Sequence, residues 1–482
     1  MNKTSFFSRM PRGLGSLFAT QLFSTMSFAV LYATLVLYMK EQLHFSEAQS
    51  NTIAGVYFAY NFALHLLSGY FGGRLFSYRG LVVTGIFFQL VGCVFLAQGE
   101  VDAFYWGLAC VLIGTGTLVT CLNMLLSQLF SADEIEKRQT GFLWNYSSMN
   151  IGFMLGFTLA GYFQLTVDYH TLFLITAMNN IIACLVLLSR WKYMRDKDTI
   201  YQRATRFSQY FRTSVGLLGV LVMIPALYWL LHHTTISGYL VLLSGILVAI
   251  FLLVITFHYQ GAERHKFLVF FILLISAQIF WITYQLAPMC LTLFAKNNVN
   301  LHVFGIQIAP GWIQNINSVA IIIGAPTLGV VFAWLRHRVK FSLLGVQYSM
   351  GLLMSTMGLL ILPIGIAFSV NGYTAFVWLF FTYIFQAIAE LLISPVGCSM
   401  IGELIPVRWQ SICMGSVLLN SGVAAVLASY FSNSALGATG SHDPLITNPT
   451  YAHTFYQLGF ITLGVSVILL LLTPWLNRLM RE

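Results

Sequence analysis

The sequence predicts an all-α integral membrane protein that crosses the bilayer fourteen times. The 482-residue chain is 58% hydrophobic and only 8% charged, and its mean hydropathy is +0.79. A soluble globular protein is typically about 25% charged, so this chain has too few charges to cover a surface that faces water. Apolar segments long enough to cross the ~30 Å hydrocarbon core of a bilayer recur along its whole length. Helices are expected because every backbone amide in lipid must be satisfied within its own segment.

Fourteen apolar segments lie between the polar breaks of the sequence, and each is interpreted as one membrane span. The predicted spans are residues 14–39, 49–73, 80–98, 103–129, 140–163, 169–189, 213–231, 236–258, 267–294, 311–335, 341–367, 373–402, 409–433 and 454–477.

The distribution of Lys and Arg supports this count. If the amino terminus lies in the cytoplasm, all 24 Lys and Arg residues except Lys40 and Lys296 fall on the cytoplasmic side, as the positive-inside rule predicts. One missed or invented span would reverse every later loop and remove this asymmetry. We therefore expect a multi-pass membrane protein with both termini in the cytoplasm. The net charge of +9 is spread over loops, so no nucleic-acid partner is expected.

The strongest interruption of the apolar pattern is the stretch 190–212, which holds seven Lys and Arg residues. It is interpreted as a cytoplasmic linker that follows a group of six helices. The next two spans, within 213–258, contain few polar residues and are expected at the periphery. The predicted domains are an N-terminal six-helix bundle (1–190), a basic linker with two extra transmembrane helices (191–266), and a C-terminal six-helix bundle (267–482).

One acidic residue stands apart from the other fourteen. Glu390 lies well inside the apolar segment "FQAIAELLISPVGCSM" (385–400), whereas the other acids lie in loops or at span ends. A carboxylate at the centre of a membrane helix costs on the order of 2.5–3.5 kcal/mol by insertion scales. Its presence predicts a substrate or proton site in a water-filled cavity. The alternative is a protonated glutamate that hydrogen-bonds a neighbouring helix for purely structural reasons.

Three further residues inside spans extend this hypothesis. Pro395 cannot donate the amide hydrogen that the Leu391 carbonyl would accept, so a kink is expected beside Glu390. Ser394 shares a helix face with Glu390 because the two are four residues apart. His65, in "AYNFALHLLSGYF", is the only histidine near the middle of a span. It is a candidate proton-coupling residue together with Glu390, with core packing as the alternative.

Neutral polar residues inside the spans are expected to line a polar cavity or, alternatively, to hydrogen-bond one helix to another. The seven cysteines lie in apolar segments without the spacing of a disulfide framework or a metal site, so no metal and no cofactor is expected. The predicted substrate-binding residues are Gln21, Asn150, Trp281, Gln285, Asn317, Glu390 and Ser394.

Five stretches carry a resemblance to a known family. They are "GTGTLVTCLNMLLSQLF" (114–130), "GFLWNYSSMNIGFMLGFTLAGYF" (141–163), "FWITYQLAPMCLTLFAKNNV" (280–299), "GWIQNINSVAIIIGAPTLG" (311–329) and "ELLISPVGCSM" (390–400). They resemble the fourth, fifth, seventh, eighth and tenth helices of the proton-dependent oligopeptide transporters (the POT/PTR family). The resemblance implies the major facilitator fold, with two six-helix bundles and two extra helices, and transport by alternating access between the bundles.

The chain departs from that family where the family carries charges. The Glu-x-x-Glu-Arg motif of the family's first helix aligns with Gln21, Ser24 and Thr25. A basic residue further along the same helix aligns with Tyr32, and the lysine of the fourth helix aligns with Val119. The resemblance therefore implies a diverged member in which a substrate carboxylate would meet only neutral donors.

At other aligned positions, some of the family's residues are replaced and others are retained. Gln285 and Gly73 stand where the family has, respectively, a seventh-helix glutamate and the acid of an Asp-Arg pair after the second helix. Glu390 is retained, and it resembles the acidic residue of the family that contacts the amino terminus of a peptide. Asn150 and Asn317 resemble the asparagines that contact the peptide backbone.

Taken together, these features predict a monomeric secondary carrier of a small, polar, peptide-like solute, linked to protons through Glu390. A substrate ammonium that pairs with ionised Glu390 competes with a proton, which favours exchange or uniport over symport unless a second group such as His65 takes part. The alternatives are a carrier of a non-peptide metabolite, such as a siderophore or an amine, and a non-transporting receptor or scaffold on the same fold. No enzyme is expected, because the spans hold no second buried acid and no His-Glu-x-x-His motif.

Overall fold

The computed structural model describes residues 11–131, 134–338, 344–437 and 441–480. The terminal residues outside these ranges include the two chain ends whose cytoplasmic location was predicted. Fourteen long helices account for most of the described residues. They are α1 (Leu14–Glu41), α2 (Glu47–Phe71), α3 (Tyr78–Ala97), α4 (Val101–Gln128), α5 (Ile135–Thr166), α6 (Tyr169–Ser189), α7 (Arg206–His232), α8 (Thr234–His258), α9 (Gly261–Gln285), α10 (Pro310–Arg338), α11 (Leu344–Ala367), α12 (Phe376–Leu404), α13 (Val407–Leu436) and α14 (Pro444–Leu479).

These helices confirm the predicted all-α class, with one long helix for each predicted span. Among the residues that the structure describes, twelve helices are both long enough and apolar enough to cross a membrane. The two others, α2 and α5, have 25 and 32 residues and are therefore long enough, although their sequences are less apolar. The short elements are a 3₁₀ turn at Trp191–Tyr193 and a one-turn helix at Ile200–Arg203, both in the predicted linker.

The helix α9 does not end cleanly at Gln285. It continues through a π turn at Ala287–Leu291 into a short helix at Thr292–Asn298. The turn widens where Pro288 lacks an amide hydrogen, and the Thr292 hydroxyl donates to the Ala287 carbonyl, five residues earlier, over 2.8 Å. Single π turns inside helices occur frequently at functional sites.

Two pairs of very short strands lie in the loops that follow. Strand β1 (Val299–Asn300) pairs in parallel with β4 (Thr374–Ala375), and β2 (His302–Val303) pairs antiparallel with β3 (Ile306–Gln307). They connect loops and contribute no layer to the fold.

The described residues form two compact units. The first unit extends to Tyr32 and takes residues 60–233, whereas the second takes residues 33–59 and everything from Thr234 onward. The last third of α1 and the first half of α2 therefore belong with the C-terminal helices, which the sequence did not indicate. The division into 1–190, 191–266 and 267–482 stays a prediction.

Close contacts between glycines hold α3 against α4 in the first unit. A Cβ atom added at Gly85 would lie 2.8 Å from the Gly114 carbonyl oxygen, and one added at Gly92 would lie 2.7 Å from that of Gly107. Small residues let membrane helices approach closely, since there is no hydrophobic driving force between helices in lipid.

The second unit has a larger apolar core, built mainly by α9, α11 and α12. Its fully buried side chains include Phe270 and Phe280 of α9, Tyr348 of α11, and Ala389 and Ile393 of α12. Ala389 and Ile393 flank Glu390 in sequence, so the core fixes the helix that carries the acidic side chain.

Candidate functional site

Glu390 is the central residue of α12, with fourteen helical residues on either side. At 1.5 Å per residue, it lies about 21 Å from each end of the helix. The side chain is only partly buried, so it is neither sealed in the core nor fully exposed. Its surroundings decide what it can bind.

Two neighbouring helices donate hydrogen bonds to the Glu390 carboxylate. The Nδ2 atom of Asn317, on α10, donates to Oε2 over 3.1 Å, and the hydroxyl of Tyr284, on α9, also donates to the carboxylate. Charge-assisted hydrogen bonds of this kind are stronger than neutral ones. The acid is therefore held among three helices of one unit.

Two glutamines fix those helices at the same level. The Nε2 atom of Gln386, one turn before Glu390, donates to the carbonyls of Thr283 and Tyr284 over 3.4 and 3.1 Å. The Nε2 atom of Gln314 donates to the Ala287 carbonyl over 3.3 Å. The second bond ends on a carbonyl of the π turn, so the irregular part of α9 is tied directly to the helix that carries Asn317.

Three other predicted binding residues lie in the same unit. Trp281 is half-buried and its ring centroid lies 5.4 Å from that of Tyr284. Gln285 is buried, and its Oε1 atom has no hydrogen-bond partner within the described ranges. Ser394 is partly buried one turn beyond Glu390, and α12 continues as a helix through Pro395.

The remaining predicted residues lie in the first unit. Gln21 is buried and its Nε2 donates to the Thr25 hydroxyl over 2.9 Å, leaving its Oε1 without a partner in the part of the chain described. The Asn150 amide donates to the Tyr146 carbonyl of its own helix over 2.9 Å. Whether these residues bind substrate stays a prediction.

His65, the predicted second titratable group, lies in α2 in the first unit. Its ring Nδ1 is buried. Its backbone carbonyl accepts from the Ser68 and Thr120 hydroxyls over 2.8 and 3.2 Å. No ion pair joins it to a described carboxylate, and its coupling role stays a prediction.

The sequence reasoning missed three residues of the site: Tyr284, Gln314 and Gln386. Helical spacing contained a usable signal, because Gln386 precedes Glu390 by four residues and Gln314 precedes Asn317 by three. Tyr284 follows Trp281 by three residues in the same way. The signal was overlooked because glutamine and tyrosine are common in helix contacts.

Comparison with known proteins gives a consistent result. A family model described as "POT family" matches residues 79–443. The dipeptide and tripeptide permease A of Cronobacter turicensis is 27% identical over 479 residues, which cover 98% of this chain and 94% of that protein. The dipeptide and tripeptide permease B of Xenorhabdus bovienii is also 27% identical, over 98% of this chain and 97% of its own.

Solved structures with the same fold include a crystal structure of a peptide transporter POT in complex with sulfate. It has a TM-score of 0.86 and 23% identity, and the match covers 100% of this chain and 98% of that one. A POT family transporter in complex with 5-aminolevulinic acid has a TM-score of 0.83 and 19% identity, with 99% of both chains covered. These likenesses confirm the predicted major facilitator fold.

Proposed function

The chain belongs to the POT family of membrane transporters, and from this premise we propose that it carries a small, polar, peptide-like solute by alternating access. Glu390 is the residue that binds the substrate ammonium and exchanges it for a proton. The observation that carries this proposal is the partly buried residue Glu390 at the middle of α12, whose carboxylate accepts hydrogen bonds from Asn317 and Tyr284. The relatives of this chain are named as dipeptide and tripeptide permeases, which supports a peptide-like substrate.

The proposed location is a bacterial inner membrane with both termini in the cytoplasm. The concentration of Lys and Arg in alternate loops supports this orientation, and the relatives named above are bacterial permeases. Protons and the bilayer are the other proposed partners of a monomeric carrier.

The proposed cycle follows from a single carboxylate. The substrate ammonium and a proton compete for Glu390, so release of one accompanies binding of the other. Net symport would require a second titratable group, and His65 is the candidate within the described helices. A receptor or scaffold, in contrast, would bind without moving solute.

Uptake into proteoliposomes tests the proposal. We expect saturable uptake of radiolabelled dipeptides that depends on pH, and Glu390→Gln should remove the pH dependence. The same variant should lower uptake by roughly tenfold to a hundredfold, since hydrogen bonds to charged groups contribute about 1.5–3 kcal/mol.

Glu403→Gln is the matched control, because Glu403 lies on the same helix but is exposed near its end. It should behave like the wild type. Unchanged pH dependence in Glu390→Gln would contradict the role of Glu390, and binding without any uptake would favour the receptor.

A further inference from the structure

The charges inside the described helices are unbalanced. Glu390 is the only acidic residue in the central turns of a described helix, and every described Lys and Arg lies in a loop or within two turns of a helix end. A bound ligand can therefore find one anion, and no permanently charged cation, at mid-membrane depth. An electrically matched ligand carries one positive charge and no negative one.

Among its described contacts, the Glu390 carboxylate has acceptor sites left for such a cation. A carboxylate offers about four lone-pair sites to hydrogen-bond donors, and the Asn317 amide and the Tyr284 hydroxyl occupy two of them. Both neighbours donate, so neither competes with an ammonium for a negative charge. A primary ammonium has three donors and can fill the sites that remain.

A carboxylate on the same ligand would have no comparable partner. The buried polar residues around Glu390 in its own unit, Gln285, Gln314 and Gln386, are neutral amides. Moving an ionised carboxylate out of water without a cation costs far more than moving a hydrogen-bonded amide. A zwitterion would therefore bind more weakly than the same molecule with its carboxyl group blocked.

The face of α1 that carries Gln21 bears aromatic side chains, and no charged side chains, further along the helix. Phe28 and Tyr32 follow on that face, and their ring centroids lie 6.2 Å from that of Phe153 and 6.1 Å from that of Phe157, respectively. The rings of Phe28, Tyr32 and Phe153 are only partly buried. Within the first unit, this face of α1 is therefore apolar and carries no positive charge.

We propose that the preferred substrates are peptide-like amines whose carboxyl group is blocked, such as amides or esters of amino acids and dipeptides, rather than free dipeptides. The inference rests on the proposed function, because it takes Glu390 to be the group that binds the substrate ammonium.

Binding and uptake are measured separately on the purified full-length chain with two matched probes. The probes are a dipeptide with a free carboxyl end, phenylalanyl-alanine, and the corresponding amide, phenylalanyl-alaninamide. Calorimetry in detergent should give a dissociation constant at least about tenfold lower for the amide, which corresponds to ~1.4 kcal/mol. Glu390→Gln should weaken binding of the amide by about tenfold or more, whereas Glu403→Gln should leave it unchanged.

Each other outcome overturns the inference or separates it from the proposed function. The inference is overturned if the free dipeptide binds as tightly as the amide or more tightly. It is also overturned if His65→Gln abolishes binding of the free dipeptide, because His65 would then supply the missing cation. Failure of both probes to bind also overturns it. If both probes are taken up through Glu390 with equal affinity, the proposed function stands and the inference fails; if the amide binds selectively but is not taken up, the inference stands and the proposed function fails.

Discussion

The Nδ2 atom of Asn317 on α10 donates a hydrogen bond to Oε2 of Glu390 on α12 over 3.1 Å. Asn317 is itself buried, and Gln314, three residues earlier, ties the same helix to the π turn that follows α9. The position of the carboxylate is therefore set from outside its own helix. Changes at Asn317 should alter how Glu390 binds protons without removing Glu390.

Asn317→Asp places a second carboxylate beside Glu390, and two carboxylates at this distance cannot both ionise readily. The pair should retain a shared proton to higher pH. We expect the pH profile of uptake to shift to the alkaline side by about one unit or more, measured in proteoliposomes between pH 5 and pH 9.

Asn317→Ser is the matched control, because serine adds no charge at the same position. It should change affinity but leave the profile within a few tenths of a unit. An equal shift in both variants, or none in Asn317→Asp, would show that the two side chains are not electrostatically coupled.

A second pair of contacts lies in the linker after α6. Both carboxylate oxygens of Asp196 accept a hydrogen bond from the Tyr78 backbone amide at the start of α3, over 3.1 and 2.9 Å. The Tyr201 amide donates to the Gly73 carbonyl over 2.8 Å. The linker therefore supplies an acid to the loop between α2 and α3, in which Gly73 stands where the family resemblance implies one.

Burial raises the pKa of Asp196 above its ordinary value, against the opposing effects of the Tyr78 amide and the Arg79 guanidinium. An acid whose pKa is higher in the folded than in the unfolded state stabilises the fold fully below the unfolded-state pKa. That contribution is lost as the pH rises through the folded-state pKa. At neutral pH the charge of Asp196 therefore opposes folding, while its hydrogen bonds favour it.

Asp196→Asn should consequently be as stable as the wild type at pH 7 or slightly more stable, since the asparagine side-chain oxygen can still accept from the Tyr78 amide. As the pH falls, the unfolding free energy of the wild type should rise relative to that of this variant. Asp196→Ala should lose about 0.5–1.5 kcal/mol of unfolding free energy because the hydrogen bond from the Tyr78 amide is lost. Chemical unfolding in detergent measures these differences, with the exposed Asp198→Asn as control. The idea fails if Asp196→Asn is as harmful as Asp196→Ala.

These residues show what the sequence could and could not predict. An apolar segment long enough to cross a bilayer must form a helix in lipid, so all fourteen long helices were recognisable. Glu390 was recognisable as a candidate site residue because it is a single acid among apolar residues. The spacing of Tyr284 from Trp281 was a signal, but the partners of Tyr284 and Asp196 were not recognisable, because Glu390 and Tyr78 lie 106 and 118 residues away in the sequence. The assignment of residues 33–59 to the second unit likewise depends on packing, which apolar periodicity does not encode.

The only two basic residues predicted on the outer side form ion pairs in the second unit. Lys40 pairs with Glu47, and Lys296 pairs with Glu41. Glu47 also accepts from the Asn297 amide over 3.0 Å, and the Lys40 and Glu47 side chains are 19% and 12% exposed. Because this pair is largely shielded from water, it should couple more strongly than a surface pair.

A double-mutant cycle with Lys40→Met and Glu47→Gln should give a coupling of about 1 kcal/mol or more in unfolding free energy. The control cycle uses Lys137→Met and Glu134→Gln, whose side chains are 50% and 29% exposed. That pair should couple by about 0.5 kcal/mol or less. Comparable coupling in the two cycles would mean that burial does not strengthen the Lys40–Glu47 pair.

Gly152, two residues after Asn150, lies at the contact between α5 and α1. A Cβ atom added at Gly152 would lie 2.5 Å from the Leu22 carbonyl oxygen and 3.0 Å from Cβ of Thr25. Because the nearest atom is backbone, the helices must separate to accommodate even alanine. Gly152→Ala should therefore lower the unfolding free energy by about 1–3 kcal/mol, as overpacking does, and should weaken uptake through displacement of the neighbouring Gln21.

Gly464→Ala is the matched control for this last prediction, because Gly464 is an exposed glycine within α14 whose added Cβ meets nothing within 4 Å. Alanine favours helix over glycine by about 0.8–1.0 kcal/mol, so this control should be neutral or slightly stabilising. Thermal and chemical unfolding of both variants in the same detergent measures the difference. A Gly152→Ala variant as stable as Gly464→Ala would mean that α1 and α5 are not in close contact at Gly152.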